Sequence, residues 1–235
     1  MQDLLHGAAA LGIYVIPALA IMLIARKLIK VPDELFRKIL HFITLGAYVP
    51  FAFGFDKWWV SAGFAASLIL VLYPLLHFAN RIPAFSSFVN ERKKGEFKSS
   101  MILAVGMIAL SISICWGIFG DRYLVLACVY AWGVGDAFAA LIGKRFGKHK
   151  IKWKLADNHK SVEGSLAMFI SSAVAVFTVL MIRGGLSIPA TLLISAASAF
   201  VCMLVELCSK GGLDTVTCPL SAMAIIIPLV TVLGG

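Results

Sequence analysis

Charged residues are scarce in this chain: they make up 14% of its 235 residues, whereas hydrophobic residues make up 60%. Soluble domains usually carry about 25% charged residues, so this composition excludes a soluble globular protein. It also excludes a nucleic-acid-binding protein, because no polar portion is large enough to present a basic face. We therefore predict an all-α, polytopic protein of the lipid bilayer, with a single integral-membrane domain over residues 1–235.

The cysteines lack any pattern typical of disulfides or metal binding. Their number is five, which is odd, and no Cys-x-x-Cys pair occurs. Neither a disulfide framework nor a zinc site is predicted, and we expect the thiols to serve as small packing groups. The cysteines are Cys115, Cys128, Cys202, Cys208 and Cys218.

Eight apolar runs are long enough to span a membrane as helices. The second and the eighth are short, so seven spans are the alternative. In the third loop, Phe85, Phe88 and Val89 recur at helical spacing, which predicts a short interfacial helix. The predicted spans are 5–25, 38–55, 58–80, 99–119, 123–143, 165–182, 186–208 and 216–234.

Basic residues alternate between the predicted loops and indicate the orientation. All of the 21 Lys and Arg residues lie in or beside the odd-numbered loops, except Lys57, Arg122 and Arg183. Cytoplasmic loops are enriched in Lys and Arg, so the odd loops are predicted to be cytoplasmic and both termini to lie outside. Asp136, in the fifth span, is then predicted to lie in the cytoplasmic half of the membrane.

Acidic residues are few, at 12 in the whole chain, and Asp136 follows Gly133-Val134-Gly135 inside an apolar run. An ionisable residue at membrane depth is costly and is by default a functional site. Because a basic segment follows, we predict that Asp136 holds Mg²⁺ or another divalent cation beside a polyphosphate. Pairing with a lysine of a neighbouring helix is the alternative. The basic segment contains Lys144, Arg145, Lys148, Lys150, Lys152, Lys154 and Lys160.

Glycine-containing strings lie at both ends of this basic segment. They form no P-loop, but amides of glycine-rich turns and lysine ammoniums can cradle phosphates. Ser161 could instead cap the following helix, with Glu163 in its first turn. The residues predicted to bind phosphate here are Gly143, Lys144, Arg145, Lys160, Ser161 and Gly164.

Two further segments place ionisable residues at the same leaflet. Arg37 and Lys38 can share a helix face with His41, either as membrane anchors and a packing residue or as phosphate donors and a proton acceptor. Glu206 and Asp214 beside Asp136 would give a metal-binding or acid/base cluster. The catalytic candidates are therefore Asp136, His41, Glu206 and Asp214, and the metal candidates are Asp136, Glu206 and Asp214.

Four strings in this order resemble the CTP-dependent lipid kinases, a family that includes phytol, dolichol and diacylglycerol kinases and is related to phosphatidate cytidylyltransferases. The resemblance covers about residues 37–220. One departure is that Thr215 follows Asp214, where the family often has Asn. The strings are Arg37-Lys38-Ile39-Leu40-His41, Gly135-Asp136-Ala137 with Gly143-Lys144-Arg145-Phe146-Gly147, Lys160-Ser161-Val162-Glu163-Gly164-Ser165, and Glu206 with Asp214 and Pro219.

This resemblance implies transfer of the CTP γ-phosphoryl group to the hydroxyl of a membrane lipid alcohol at the cytoplasmic leaflet. The motifs are taken to bind CTP and metal in that family, which carries over to Arg37, Lys38, Asp136 and Gly143. A phosphatidate cytidylyltransferase is the alternative, although its late Pro-Gly-His-Gly-Gly signature is absent. An intramembrane aspartyl protease would need a second mid-span Asp, and a transporter would show repeats.

Overall fold

A computed structural model describes residues 1–29, 32–82, 95–151, 160–209 and 212–234. Within these ranges the chain forms nine α-helices and no β-strand, apart from one bridge between Lys150 and Ser161. The helices are α1 (Gln2–Leu28), α2 (Asp33–Gly46), α3 (Tyr48–Phe53), α4 (Trp58–Ala79), α5 (Glu96–Ser111), α6 (Arg122–Phe146), α7 (Val162–Arg183), α8 (Ile188–Cys208) and α9 (Asp214–Leu233).

Seven helices of the described residues are long and apolar enough to cross a membrane, one of them being α5 together with its π-helical continuation Ile112–Ile118. The prediction of an all-helical polytopic membrane protein is confirmed. The predicted interfacial helix falls on residues 83–94, which lie outside the described residues. The orientation of the termini stays a prediction.

The predicted second span is made of two shorter helices, α2 and α3, with Ala47 between them. Pro50 lies in the first turn of α3 and has no backbone N–H, so it cannot donate to the residue four positions earlier. The neighbouring bonds persist: the Ala47 N–H donates to the Ile43 carbonyl at 3.1 Å and the Phe51 N–H to the Ala47 carbonyl at 3.2 Å. The helical path is therefore interrupted locally.

The chain divides into two compact units, residues 1–120 and 121–235. In the first unit, aromatic residues between α1, α3 and α4 form the core. Tyr48, Phe51 and Phe55 are almost fully buried. The Tyr14 hydroxyl donates to the Ile43 carbonyl at 3.1 Å and ties α1 to α2. The prediction of a single domain stays a prediction.

In the second unit, α6 packs closely against α7 through small residues. A Cβ on Gly135 would overlap the Ser172 hydroxyl, and a Cβ on Gly143 would lie 3.5 Å from Gly164 Cα. From Gly135 to Gly143 the chain runs towards the C-terminus of α6, whereas the residues they contact on α7 run from Ser172 back to Gly164. The two helices are therefore antiparallel. Small residues let helix backbones approach closely in a membrane, where packing rather than hydrophobicity drives association.

Because α6 and α7 are antiparallel and short connections join α7 to α8 and α8 to α9, the four helices of this unit have an up-and-down arrangement. The C-terminal ends of α6 and α8 therefore lie at the same end of the unit as the N-terminal ends of α7 and α9, where Lys160 pairs with Glu206. At the opposite end, Asp121 caps α6 by accepting from the Tyr123 N–H at 2.8 Å, and it also pairs with Arg183 of α7.

Candidate active site

Three of the predicted carboxylates converge in the second unit. Asp136 comes from the middle of α6, Glu206 from the last turn of α8 and Asp214 from the first residue of α9. Each is partly buried, and Asp136 interacts electrostatically with both Glu206 and Asp214. The fold thus brings Asp136 close to Glu206 and Asp214, which lie about 70 or more residues after it in the sequence.

Lys160 supplies a cation to this cluster. Its Nζ lies 2.9 Å from Glu206 Oε1, and both side chains are largely buried, with 19% and 14% of their surface exposed. The same ammonium donates to the Glu206 carbonyl and, at 3.4 Å, to the Ser209 carbonyl. A helix leaves its last carbonyls without partners in the helix, and a lysine is a favourable cap for them. Lys160 therefore also caps α8.

Trp132 is a residue of the site that sequence reasoning missed. Its indole Nε1–H donates to Asp214 Oδ2 at 3.1 Å, and the residue is only 5% exposed. Trp132 precedes Asp136 by four residues, so both lie on one face of α6. That spacing could have pointed to Trp132, but the sequence contains nothing that pairs it with Asp214.

The predicted phosphate-binding residues Gly143, Ser161 and Gly164 lie together where α6 meets α7. Ser161 is buried and caps α7, because its Oγ accepts from the Gly164 N–H at 3.2 Å. A Cβ on Gly164 would lie 3.0 Å from the Ala139 carbonyl oxygen. The structure thus gives these residues capping and packing roles, while phosphate binding by them stays a prediction.

The ends of the basic segment are held together beside this contact. The Ile151 N–H donates to the Lys160 carbonyl and the Val162 N–H to the His149 carbonyl, both at 3.0 Å. Glu163 accepts from the His149 backbone N–H at 3.2 Å, and its Oε1 lies 2.7 Å from the His149 Nδ1. Among the Lys and Arg residues in the described part of this segment, the exposed ones are Lys144, Arg145, Lys148 and Lys150. Residues 152–159, with Lys152 and Lys154, lie outside the described residues.

The donor chemistry of the cluster fits a hard divalent cation. Carboxylate oxygens are preferred ligands of Mg²⁺, which uses one or two of them together with water and substrate phosphate oxygens. Among the described residues, no group of three or more His, Cys, Asp and Glu side chains is arranged as a ready-made metal site. Binding of Mg²⁺ by Asp136, Glu206 and Asp214 stays a prediction.

The remaining predicted residues lie on α2 of the first unit. Arg37 Nη1 is 3.5 Å from Glu34 Oε2, and Lys38 is buried with 9% of its surface exposed. The half-buried His41 ring meets Phe42 edge-on, with the ring centroids 6.4 Å apart. Burial of Lys38 argues against a simple headgroup anchor, because an anchoring ammonium reaches into water. The roles of these three residues in binding and catalysis stay predictions.

Comparisons with known proteins identify two relatives. The chain is 28% identical over 207 residues to phytol kinase of Synechocystis sp. (strain PCC 6803). The aligned region covers 83% of this chain and 78% of that protein. It is 30% identical over 149 residues to the uncharacterized protein MJ1137 of Methanocaldococcus jannaschii. This aligned region covers 61% of this chain and 71% of that protein. No family model and no solved structure matches the chain.

Proposed function

Because this chain belongs to one family with the Methanocaldococcus protein and is a relative of phytol kinase, we propose that it is a lipid kinase of the membrane. The reaction is transfer of the γ-phosphoryl group of CTP to the hydroxyl of a lipid alcohol of the phytol, polyprenol, dolichol or diacylglycerol type. It takes place at the cytoplasmic leaflet, because that is where the bias in basic loops puts the carboxylates.

The convergence of Asp136, Glu206 and Asp214 with Lys160 is the observation that carries this proposal. Phosphoryl transfer depends on positioning and on neutralising the charge of the phosphate oxygens. A cluster of carboxylates beside a basic segment supplies both needs. Asp136, with Glu206, would hold Mg²⁺. The chemistry that Mg²⁺ supplies there is charge neutralisation at the transferred phosphoryl group.

Several cations are proposed to clamp the triphosphate. Lys144 and Arg145 are exposed at the end of α6 and can reach a polyphosphate in the aqueous phase. Arg37 and Lys38 come from the family resemblance. Lys160 is already held by Glu206, so in this proposal it faces the triphosphate from a fixed position. A fixed donor loses little freedom on binding, and charge-assisted bonds to phosphate are strong.

The two carboxylates at the ends of α8 and α9 are proposed to have different tasks. Glu206 Oε1 is engaged by the Lys160 ammonium, whereas Asp214 Oδ2 accepts from a neutral indole. We assign acceptance of the alcohol proton to Asp214, ahead of His41. In the step, the alcohol O–H bond breaks and the proton passes to Asp214. The alcohol oxygen bonds to the γ-phosphorus. The bond between the γ-phosphorus and the oxygen that bridges to the β-phosphate breaks, which releases CDP.

Incubation of the purified protein with Mg²⁺, a panel of lipid alcohols and CTP tests the proposal directly. CTP labelled at the γ-phosphate should yield a labelled lipid monophosphate, and ATP should be the poorer donor. CTP labelled in the cytosine ring, offered with phosphatidate, tests the alternative. Label recovered as a CDP-lipid would establish a cytidylyltransferase, and no product in either arm would overturn an enzymatic role with CTP.

A further inference from the structure

We propose that Trp132 is a positioning residue that holds the Asp214 carboxylate at a set place relative to Asp136. The proposal rests on the proposed function, since it concerns the orientation of the group that takes the alcohol proton. Trp132 acts through Asp214 and is not assigned any contact with substrate.

The indole is confined by its burial and by its polar group. Trp132 is 5% exposed, and its Nε1–H donates to Asp214 Oδ2 at 3.1 Å. A buried indole N–H needs a hydrogen-bond partner, and this partner is 82 residues away in the chain. The bond therefore fixes a tertiary relation between α6 and the start of α9, which local secondary structure cannot provide.

The hydrogen bond to Trp132 helps to fix the position of Asp214 at the start of α9. Leu213 precedes the helix, and no side chain caps it within the described residues. Gly212 has a φ of +84°, which allows the chain to turn before the helix at little conformational cost. Asp214 therefore begins a helix whose N-terminus is not fixed by a capping side chain. Trp132 connects it to α6, whose residues 124–129 are all buried.

Trp132 and Asp136 belong to the same helix, α6. Four residues separate Trp132 from Asp136, which is about one helical turn, or about 6 Å along the axis. Fixing Asp214 to Trp132 therefore also sets the separation between the Asp214 and Asp136 carboxylates. Active-site groups must be held within about 0.5 Å of their productive geometry, and such precision comes from buried supporting contacts.

A neutral donor suits this task better than a cation. Lys160 neutralises Glu206 while holding it, but the indole N–H orients Asp214 without cancelling its charge. The two contacts thus hold two carboxylates of one cluster in electrostatically different ways.

A double-mutant cycle of Trp132→Phe and Asp214→Ala, measured with the best lipid alcohol, tests the proposal. Trp132→Phe keeps an aromatic ring and removes the N–H. We expect kcat to fall about tenfold or more, as for other lost bonds to charged groups, with KM for CTP changed less than about twofold. In the Asp214→Ala background, the same substitution should change kcat by less than about twofold, because the acceptor of the indole N–H is already removed.

Trp116→Phe is the matched control, since Trp116 is also a buried tryptophan, at 8% exposed, and lies in the π-helical segment of the first unit. It should leave kcat within about twofold. An equal loss from both Phe substitutions, or a Trp132→Phe loss of the same size in both backgrounds, would overturn the proposal and assign Trp132 to packing. Absence of kinase activity in the wild-type protein would instead overturn the proposed function.

If Trp132→Phe does not fold, benzothienylalanine at position 132 replaces it, because this analogue has nearly the shape of tryptophan and lacks the N–H donor. The folded analogue protein should show the same tenfold loss of kcat. Wild-type kcat in that protein would contradict the proposal, whatever the phenylalanine variant does.

Discussion

The two ends of the second unit use aspartate in different ways. At one end, Asp121 caps α6 and pairs with Arg183. Towards the other end, Asp136 interacts with Glu206 and Asp214, and the Lys160 ammonium pairs with Glu206. The first arrangement serves the ends of two neighbouring helices and is complete as a structural contact. The second draws on three helices and on Lys160, two residues before α7, which is more than capping requires.

This difference indicates where function has shaped the chain. An ion pair at a helix terminus satisfies backbone groups and matches one charge with another. Carboxylates brought within reach of one another repel, and a fold that keeps them together needs a reason beyond stability. The acidic end is therefore the one to which we assign chemistry, and the following substitutions test that assignment against the Asp121 end.

The largest effect is expected from Asp136→Asn, which keeps the shape of the side chain and removes its charge. Turnover should fall on the order of a hundredfold or more, because a main electrostatic stabiliser of the transition state is lost. Thermal unfolding in detergent should change little, since neutralising a charge at membrane depth rarely destabilises the fold.

Asp121→Asn is the control for this change. It breaks the ion pair with Arg183 but leaves an amide oxygen that can still cap α6. The unfolding temperature should drop slightly and turnover per folded molecule should stay the same. Near-normal turnover of well-folded Asp136→Asn would refute the assignment of function to the acidic end.

Lys160→Gln should raise KM for CTP by about ten- to a hundredfold, which corresponds to the roughly 1.5–3 kcal/mol of a charge-assisted bond to phosphate. It should also lower the unfolding temperature, because the Glu206 carboxylate, the Glu206 carbonyl and the Ser209 carbonyl lose their donor. Lys148→Gln, in the same basic segment but exposed, should leave both quantities almost unchanged.

The Lys160 result separates binding from structure. A fall in the unfolding temperature with KM unchanged would make Lys160 a structural contact like Arg183 at the other end. The prediction of a triphosphate contact would then be wrong, although the ion pair with Glu206 would remain.

Gly164→Ala should destabilise the second unit by about 1–3 kcal/mol, as expected when a methyl group is forced into a tight contact. Its Cβ would lie 3.0 Å from the Ala139 carbonyl oxygen and 3.3 Å from Gly143 Cα, and backbone atoms yield less easily than side chains. Gly63→Ala, on α4, is the control, because no atom lies within 4 Å of its added Cβ. Equal unfolding temperatures for the two variants would contradict the close packing of α6 on α7.

The smallest effect on activity is expected from cysteines introduced to test orientation. In a background without the native cysteines, Lys57→Cys should react with an impermeant thiol reagent added outside intact cells. Lys148→Cys should react only after the cells are opened, because the basic segment is predicted to be cytoplasmic. Labelling of Lys148→Cys from outside would reverse the orientation and remove cytosolic CTP as the donor.

Much of the fold could be predicted from the sequence because membrane spans depend on local composition. About 20 consecutive apolar residues predict a helix wherever they occur, and the seven long helices agree with the predicted runs. Ser161 was predicted as a possible cap and does cap α7. The division between α2 and α3 was not predicted, because Pro50 was counted in a continuous span although it removes a helix donor.

The sequence by itself determined that this is a helical membrane protein, that Asp136 lies inside a span and that cations follow it, since each of these depends on neighbouring residues. The tertiary structure alone decided the partners of these groups. Lys160 meets Glu206 across 46 residues, and Trp132 meets Asp214 across 82. Nothing local specifies such pairs. They exist because Gly143 and Gly164 let α6 and α7 approach closely, and because short connections return α8 and α9 to the same end.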